Sequence, residues 1–298
     1  MTRVLKLIAV LAVIGICVFW FITRPKTLTA ADIASFSPNL ERGEYVFNAS
    51  GSASCHSAEG ATGEATHILS GGKAFPSPFG TFRAPNISPS PQGIAGWSAL
   101  DLANALHEGV SPDGSHYFPA LPYGTYRRMS LEDVTALHSY LLTLPPSDAQ
   151  SLPHEVGFPF NIRRSLGGWK FLFLKDGWVV EDVPPEAETG RYIAEAMAHR
   201  GECHTARNIL GGPKTSAWLG GAPNPSGKGN IPNITPGALK WSEDEITEYL
   251  TTGFTPEFDV AGGLMAEVVQ NLAKLPKEDV RSIAKYLKAV PPITETAP

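Results

Sequence analysis

The stretch Ser52-Ala53-Ser54-Cys55-His56 decides the fold, because the stretch Arg200-Gly201-Glu202-Cys203-His204 repeats its Cys-His pair later in the chain. A Gly-x-Tyr motif precedes each pair, in Gly43-Glu44-Tyr45 and in Gly190-Arg191-Tyr192. A single Cys-His pair is a weak signal, and alone it indicates an ordinary buried thiol beside a surface histidine. Two pairs at equivalent places in a repeat instead indicate that both cysteines and both histidines serve one shared chemistry.

Further landmarks recur downstream in the same order. The recurring segments are Ala84–Pro89 and Ile231–Pro236, Trp97-Ser98 and Trp241-Ser242, and Glu132-Asp133-Val134 and Glu278-Asp279-Val280. Each half then closes on a Pro-Pro pair. Several landmarks in one order are hard to obtain by chance. We therefore predict two copies of one domain at residues 36–146 and 186–293, separated by a linker at 147–185.

Each copy has a helical pattern interrupted by glycine and proline, and strand patterns are absent from both. Ser98 and Ser242 are expected N-caps, because an acidic residue stands three positions after each of them. The predicted helices are Leu40–Asn48 and Ala187–Ala198, one beginning at Ser98 and one at Ser242, and a last helix opening at Ser130 and near Pro276. The predicted fold class is all-α, and the linker is aromatic enough to pack against one or both copies.

The length of 298 residues suits two domains, each large enough to bury a core. Hydrophobic residues make up 43% of the chain and charged residues 18%, which indicates a globular protein and not a disordered one. The formal net charge is −5, and the chain has no run of lysine or arginine. This charge offers no basic face, so we expect no nucleic-acid partner.

An apolar run from Leu7 to Ile22 lies between Arg3 and Lys6 on one side and Arg24 and Lys26 on the other. The run is short for a membrane-spanning helix and long for the apolar region of a signal peptide. Small residues near position 30 do not occupy the places that a signal-peptide cut requires. We favour an uncleaved anchor at residues 1–26 over a removed signal, and both interpretations export the rest of the chain.

Taken together, the Cys-His pair after a first helix, the Pro-Asn segment, the Trp-preceded middle helix and the closing Pro-Pro resemble the diheme cytochrome c subunits of bacterial membrane-bound dehydrogenases. The resemblance covers nearly all of the chain beyond the anchor. It implies two tandem cytochrome c domains after a transmembrane helix in the bacterial inner membrane, with both domains in the periplasm.

In that family, a Cys-x-x-Cys-His motif attaches haem through two thioethers, and its histidine ligates the iron. The resemblance therefore implies two haem c groups, held by Cys55 with His56 and by Cys203 with His204. Serine or arginine replaces the first cysteine of each motif here, at Ser52 and Arg200. We expect one thioether per haem, with non-covalent binding or haem loss in one domain as the alternatives.

The resemblance also implies a methionine as the distal iron ligand, a soft ligand that favours Fe(II). Met265 stands where the family supplies this ligand, and we predict that it ligates the second iron. Leu121 occupies the equivalent place in the first copy, and leucine cannot bind iron. For the first iron, three possibilities stay open: Met129 ligates, His116 ligates, or the iron is five-coordinate.

The leading functional hypothesis is electron transfer from a partner dehydrogenase to quinone or a terminal oxidase, by a subunit without a substrate pocket of its own. No nucleophile elbow, phosphate loop or zinc signature is present in the sequence. A second hypothesis is a haem enzyme with an open iron in the first domain, acting on peroxide or thiosulfate. A third is a haem-poor interaction subunit.

Overall fold

The protein is described by a computed structural model that covers residues 2–225, 227 and 229–294. Helix predominates in it, as the sequence predicted. The α-helices are α1 Thr2–Ile22, α2 Ala30–Ile33, α3 Leu40–Ala49, α4 Ser52–His56, α5 Ala99–Ala103, α6 Tyr123–Tyr126, α7 Leu131–Leu141, α8 Ser165–Phe173, α9 Glu188–Tyr192, α10 Arg200–His204, α11 Glu243–Thr252, α12 Leu264–Leu272 and α13 Lys277–Ala289.

Shorter helical turns extend or connect these elements. One π-helical turn, Asn104–Glu108, continues α5, and another, Ile193–Met197, continues α9. Three 3-10 turns cover Gly63–His67, Pro185–Ala187 and Thr215–Ala217. The helix predicted over Ala187–Ala198 is therefore one α-helical turn between a 3-10 entry and a π-helical exit.

The two middle helices begin at the predicted serines. Ser98 Oγ accepts a hydrogen bond of 3.2 Å from the Asp101 amide, and the Asp101 carboxylate accepts one of 2.8 Å from the Ser98 amide. Ser242 and Glu245 make the same exchange, at 3.2 and 2.7 Å. Each exchange is a capping box that satisfies two amides at the exposed helix end. Both predicted helix starts are confirmed.

The expectation that strands are absent is wrong in detail. The strands are β1 Ala74–Ser77, β2 Gly80–Arg83, β3 Glu155–Val156, β4 Ala222–Pro223 and β5 Asn230–Ile231. The first three form an antiparallel sheet in the order β1-β2-β3, and the other two form a hairpin. Elements of two to four residues are too short to show an apolar alternation, and prolines inside β1 and β4 mask them further.

The first and last long helices of each half cross at a glycine. A Cβ atom on Gly43 would lie 2.2 Å from the carbonyl oxygen of Ala136, so α3 touches the backbone of α7. A Cβ atom on Gly190 would lie 1.8 Å from the carbonyl oxygen of Ser282, so α9 touches the backbone of α13 in the same way. The recurring glycine of each Gly-x-Tyr motif therefore permits a close crossing of two helices.

The linker packs against both halves, as its aromatic content predicted. The ring of Trp169 meets that of Tyr123 edge-on at 6.0 Å, and its Nε1 donates to the carbonyl of Leu210 at 2.9 Å. Glu195, which is fully buried, accepts hydrogen bonds from the linker amides of Val179 and Val180 at 2.6 and 3.1 Å. The linker therefore forms part of the folded core.

Helix α1 is the one helix of the described residues that is long and apolar enough to cross a membrane. Its span of Arg3–Ile22 has a mean hydropathy of 2.7 and is exposed along its length. Residue Thr23, which directly follows the helix, is by contrast buried against the body of the protein. The apolar helix is thus joined to the body of the protein at the C-terminal end of the helix, and the rest of the helix projects away from the body.

Candidate functional site

The first Cys-His pair ends the short helix α4. Gly51 caps its start with a φ of 63°, a left-handed conformation that glycine adopts without strain. The imidazole of His56 has its Nδ1 at 2.9 Å from the carbonyl oxygen of Pro85, and the backbone carbonyl of His56 accepts from the Gly71 amide at 2.7 Å. Side chain and backbone of this histidine are therefore both fixed.

The second Cys-His pair has the same environment at the end of α10. The Nδ1 atom of His204 lies 2.8 Å from the carbonyl oxygen of Pro232, and its backbone carbonyl accepts from the Gly221 amide at 2.8 Å. Since a carbonyl only accepts, Nδ1 carries the proton in both rings and Nε2 carries the lone pair. Metal-binding histidines in proteins are usually oriented in this manner.

The Pro-Asn segment, which the sequence singled out only as a landmark, holds these carbonyls in place. Asn86 Nδ2 donates to the carbonyl of Ser147 at 2.8 Å, and Asn233 Nδ2 donates to the carbonyl of Ile293 at 2.7 Å. Each acceptor follows the last helix of its half. The recurrence of Pro-Asn in the sequence was a signal that this segment matters. Only the structure shows that the asparagine holds the segment whose proline carbonyl orients the histidine.

Both histidines are neutral at neutral pH. Burial is the main cause that lowers the pKa of His56 and His204, for His204 to about 4, although the proline carbonyls act in the opposite direction. A neutral imidazole is the form that binds a metal ion. The thiols of Cys55 and Cys203 are free, and burial raises the pKa of Cys55 to about 11. Cys55 is therefore a thiol and not a thiolate.

The two positions where the family has a first cysteine differ from each other. Ser52 Oγ lies 3.1 Å from Ser50 Oγ on the first side. On the second side, Arg200 is buried, and among the described residues its Nε and Nη2 atoms have no hydrogen-bond partner. Burial lowers the pKa of Arg200 to about 10. A guanidinium that is buried without acceptors is costly, so a ligand beside it would relieve that cost.

The candidate distal ligands lie in different surroundings. Met129 is buried in the main core, and Met265 is half-buried in the first turn of α12. Leu121 is packed at the edge of the core. His116 uses both ring nitrogens elsewhere, with Nε2 at 2.8 Å from the Thr23 carbonyl and Nδ1 at 2.9 Å from Lys170 Nζ. In the structure both ring nitrogens of His116 are therefore hydrogen-bonded near the end of α1, and neither is free to bind iron.

The two halves meet through contacts that occur twice. Tyr45 of α3 donates its hydroxyl to Asp279 of α13 at 2.8 Å, and Tyr192 of α9 donates its hydroxyl to Asp133 of α7 at 2.5 Å. The tyrosines occupy equivalent positions of the repeat, and so do the aspartates. Each half therefore gives its tyrosine to the other half, which is the pattern of a twofold-related interface.

The same interface holds both Cys-His motifs. Asn271 Nδ2 donates to Ser54 Oγ at 2.7 Å, and Thr125 Oγ1 donates to Glu202 Oε1 at 3.0 Å. Ser54 directly precedes the first cysteine, and Glu202 directly precedes the second. His199 adds a contact of 3.2 Å between its Nε2 and the Ser50 carbonyl. The two motifs therefore lie on either side of one contact surface.

A half-buried ion pair also joins the two halves at this contact surface. Lys73 Nζ donates to the carbonyl of Ser54 at 2.9 Å and to the carboxylate of Glu267 at 2.8 Å. Lys73 belongs to the first half and Glu267 to the second. Neither residue stood out in the sequence, because neither recurs in the other copy.

Comparison with known proteins gives a consistent result. The chain is 51% identical over 288 residues to a "Diheme cytochrome c-type" protein of Cereibacter sphaeroides, which covers 96% of this chain and 97% of that protein. It is 37% identical to the "Fructose dehydrogenase cytochrome subunit" of Gluconobacter japonicus, over 87% of this chain and 54% of that one.

A third relative is the "Alcohol dehydrogenase (quinone), cytochrome c subunit" of Gluconobacter oxydans, which is 32% identical over 86% of this chain. This chain spans about half the length of the two dehydrogenase subunits, 54% and 55%. No protein-family model matches the chain. The extent and identity of the first match decide the assignment, and the chain belongs to the family of diheme c-type cytochromes.

Proposed function

We propose that the chain carries electrons between two haem c groups, one in each of two tandem cytochrome c domains. The observation that carries this proposal is that both Cys-His motifs lie on one contact surface, through Ser54 and Glu202. Groups held next to these motifs on opposite sides of that surface would be close to each other. A short separation between redox groups is what an electron relay within one chain requires.

Four residues would hold the haems: Cys55 with His56, and Cys203 with His204. A bound haem supplies one-electron redox chemistry at its iron, which no side chain of this protein provides. The chain contributes orientation, because Pro85 and Pro232 fix each imidazole with its Nε2 lone pair available. Met265 would be the distal ligand of the second iron and Met129 that of the first. Arg200 is buried and lies one helical turn before Cys203 in α10, so its side chain would border the second haem.

The partner and the location follow from the same proposal. Relatives are cytochrome subunits of fructose and alcohol dehydrogenases, so we propose that a dehydrogenase delivers electrons to this chain. Quinone or a terminal oxidase would accept them. Helix α1 would anchor the chain in the bacterial inner membrane, with both domains in the periplasm.

Haem content tests the proposal. Protein matured in a host with cytochrome c assembly machinery should hold two irons per chain, and the porphyrin should stay with the chain after acid–acetone extraction. A His204→Ala variant should lose the second haem, while a His138→Ala variant serves as control, because His138 instead contacts the Trp97 carbonyl at 2.9 Å. Purified protein without any haem would overturn the proposed function.

A spectrum tests the single thioether of each haem. When a cysteine S–H adds across a porphyrin vinyl group, an S–C bond forms and the proton goes to the neighbouring carbon, so the vinyl leaves the conjugated system. With Ser52 and Arg200 in place of cysteine, one vinyl per haem should survive. The reduced pyridine complex should then absorb at longer wavelength than a haem with two thioethers, and at shorter wavelength than free haem b.

Two variants provide the control for that spectrum. Ser52→Cys and Arg200→Cys should move the band to shorter wavelength, because each supplies a second thiol at the position that the family uses. A wild-type spectrum equal to that of a haem with two thioethers would refute single attachment. A haem b spectrum with extractable porphyrin would leave ligation by His56 and His204 in place and refute the covalent bond.

A further inference from the structure

Helix α8 and the end of α1 are in direct contact. Arg164, which precedes α8, donates from Nε to Thr23 Oγ1 at 2.8 Å and from Nη2 to the Trp20 carbonyl at 2.7 Å. A Cβ atom on Gly167 would lie only 2.5 Å from the Thr23 carbonyl oxygen. The backbone of α8 therefore lies against the exit of α1 without space for a methyl group.

A buried polar cluster fixes this contact to the first half of the protein. Lys170 of α8 donates from Nζ to the carbonyls of Glu108 and Gly109 at 2.6 and 2.7 Å, and to His116 Nδ1 at 2.9 Å. His116 in turn donates from Nε2 to the Thr23 carbonyl at 2.8 Å. All three ammonium protons and both ring nitrogens are used, so α1, α8 and the body form one rigid joint.

Large apolar side chains are exposed around this joint. We define the collar as Phe158, Phe160, Phe171, Leu172, Ile209 and Leu210. Phe158 is 82% exposed, Phe171 65% and Ile209 93%, although Ile209 and Leu210 lie far from Phe158 in the chain. Trp169 Nε1 bonds to the Leu210 carbonyl at 2.9 Å, and the ring of Phe79 lies 5.0 Å from that of Phe160 and against Gly211. These contacts join the collar into one surface.

The position and charge of the collar point to lipid. Its members Phe171 and Leu172 belong to α8, which contacts Thr23 at the end of α1 through Gly167. An aromatic residue such as Trp20 is typical of the membrane–water boundary. The guanidinium of Arg164 stacks on the ring of Trp20 at 4.3 Å. Arg24, Lys26 and Arg163 add positive charge nearby in the chain. Exposed apolar and aromatic side chains together with basic residues are the composition of a segment that lies in an anionic membrane interface.

We propose that the collar inserts into the headgroup and acyl boundary of the leaflet from which α1 emerges, as a second membrane contact. This proposal rests on the membrane anchor of the proposed function. A single helix can tilt in the bilayer, and through the rigid joint the body would tilt with it. With the collar in the same leaflet, the rigid joint fixes the tilt of the body, and with it the direction in which each Cys-His motif faces.

A matched pair of labelled variants tests this contact in the full haem-loaded chain. Leu172 lies in the collar and Leu40 at the start of α3, and both are 52% exposed. In a Cys17→Ala background, L172C and L40C each receive a nitroxide label, and the parent variant measures any labelling of Cys55 and Cys203. The proteins are placed in vesicles of phosphatidylcholine and phosphatidylglycerol. Power saturation in electron paramagnetic resonance then compares relaxation by oxygen and by a water-soluble nickel chelate.

We expect oxygen to relax the label at position 172 and the nickel chelate to lose its effect there, whereas the chelate should relax the label at position 40. Equal access of the chelate to both positions would overturn the proposal. The same measurement is made in native membranes. If position 172 is shielded from both reagents there but not in vesicles, a protein partner covers the collar and the proposal is overturned. Haem content of the same samples tests the electron carrier separately, and an alkaline carbonate wash of the vesicles tests the anchor separately.

Discussion

The close crossing of α9 and α13 makes Gly190→Ala a sharp test of the packing. The new Cβ would lie 1.8 Å from the Ser282 carbonyl oxygen and 2.3 Å from its carbon, whereas Cβ atoms in proteins do not approach closer than 3.0 Å. The atoms met are backbone, so the two helices must move apart. The buried side chains of Ile193 and Ile283, which are 1% and 0% exposed and belong to the same hydrophobic core, would then pack less closely.

Overpacking of this kind costs about 2 kcal/mol at the middle of its usual range, and alanine regains up to about 1 kcal/mol of helix propensity, so we expect a net loss of about 1 kcal/mol. Large domains lose about 2–4 °C in Tm for each kcal/mol, so we expect Tm to fall by about 2–4 °C. Circular dichroism of the haem-loaded chain during heating measures this shift. Gly124→Ala is the matched control, because among the described atoms nothing lies within 4 Å of its Cβ position. A Tm for Gly190→Ala equal to or above that of the wild type would refute the reasoning.

Three further outcomes are expected. Glu195→Ala should lower the free energy of unfolding in urea by about 3–5 kcal/mol, because the Tyr286 hydroxyl and two linker amides lose a buried charged acceptor, whereas Glu195→Gln should cost less. Burial, together with the charge of Arg127, lowers the pKa of His107 to about 4. The native state therefore binds fewer protons than the unfolded state, and stability should fall by up to about 3 kcal/mol as pH drops from about 6.5 to about 4; urea midpoints that fall as steeply in His107→Gln would contradict this. Cys203→Ala should release one of two porphyrins on acid–acetone extraction, and full retention would show that its thiol holds none.

The sequence predicts most of what local chemistry determines. The capping boxes at Ser98 and Ser242, the N-cap at Ser130 and the helix over Leu40–Ala49 follow from residue type and spacing alone. The last helix was predicted to begin near Pro276, and α13 begins one residue later, at Lys277, with Pro276 in the N-cap position. Strands of two to four residues and the π-helical turns lie below what a periodic pattern can indicate.

The contacts between the halves could not be predicted from the chain, since they depend on how two copies are placed in space. Tyr45 and Asp279 recur as landmarks, but their pairing across the repeat is a property of the tertiary structure. The sequence offers His116 as one of the possible ligands of the first iron. Only the fold brings Thr23 and Lys170 to its two nitrogens. The roles of the Cys-His pairs and of Met265 and Met129 in binding haem stay predictions.

The reciprocal tyrosine–aspartate contacts resemble those of a homodimer. A homodimer makes every contact of its interface twice, because each subunit presents the same residues to the other. This chain makes the contact twice within one polypeptide, which is the arrangement left when the gene of a self-pairing ancestor is duplicated and joined. Fusion frees the copies to diverge. Thr125 and Asn271 illustrate this, because residues of different type donate to the residue directly before the cysteine of the other half. A fused pair can therefore present different residues at its two ends and suit two different partners, which a symmetric homodimer cannot do.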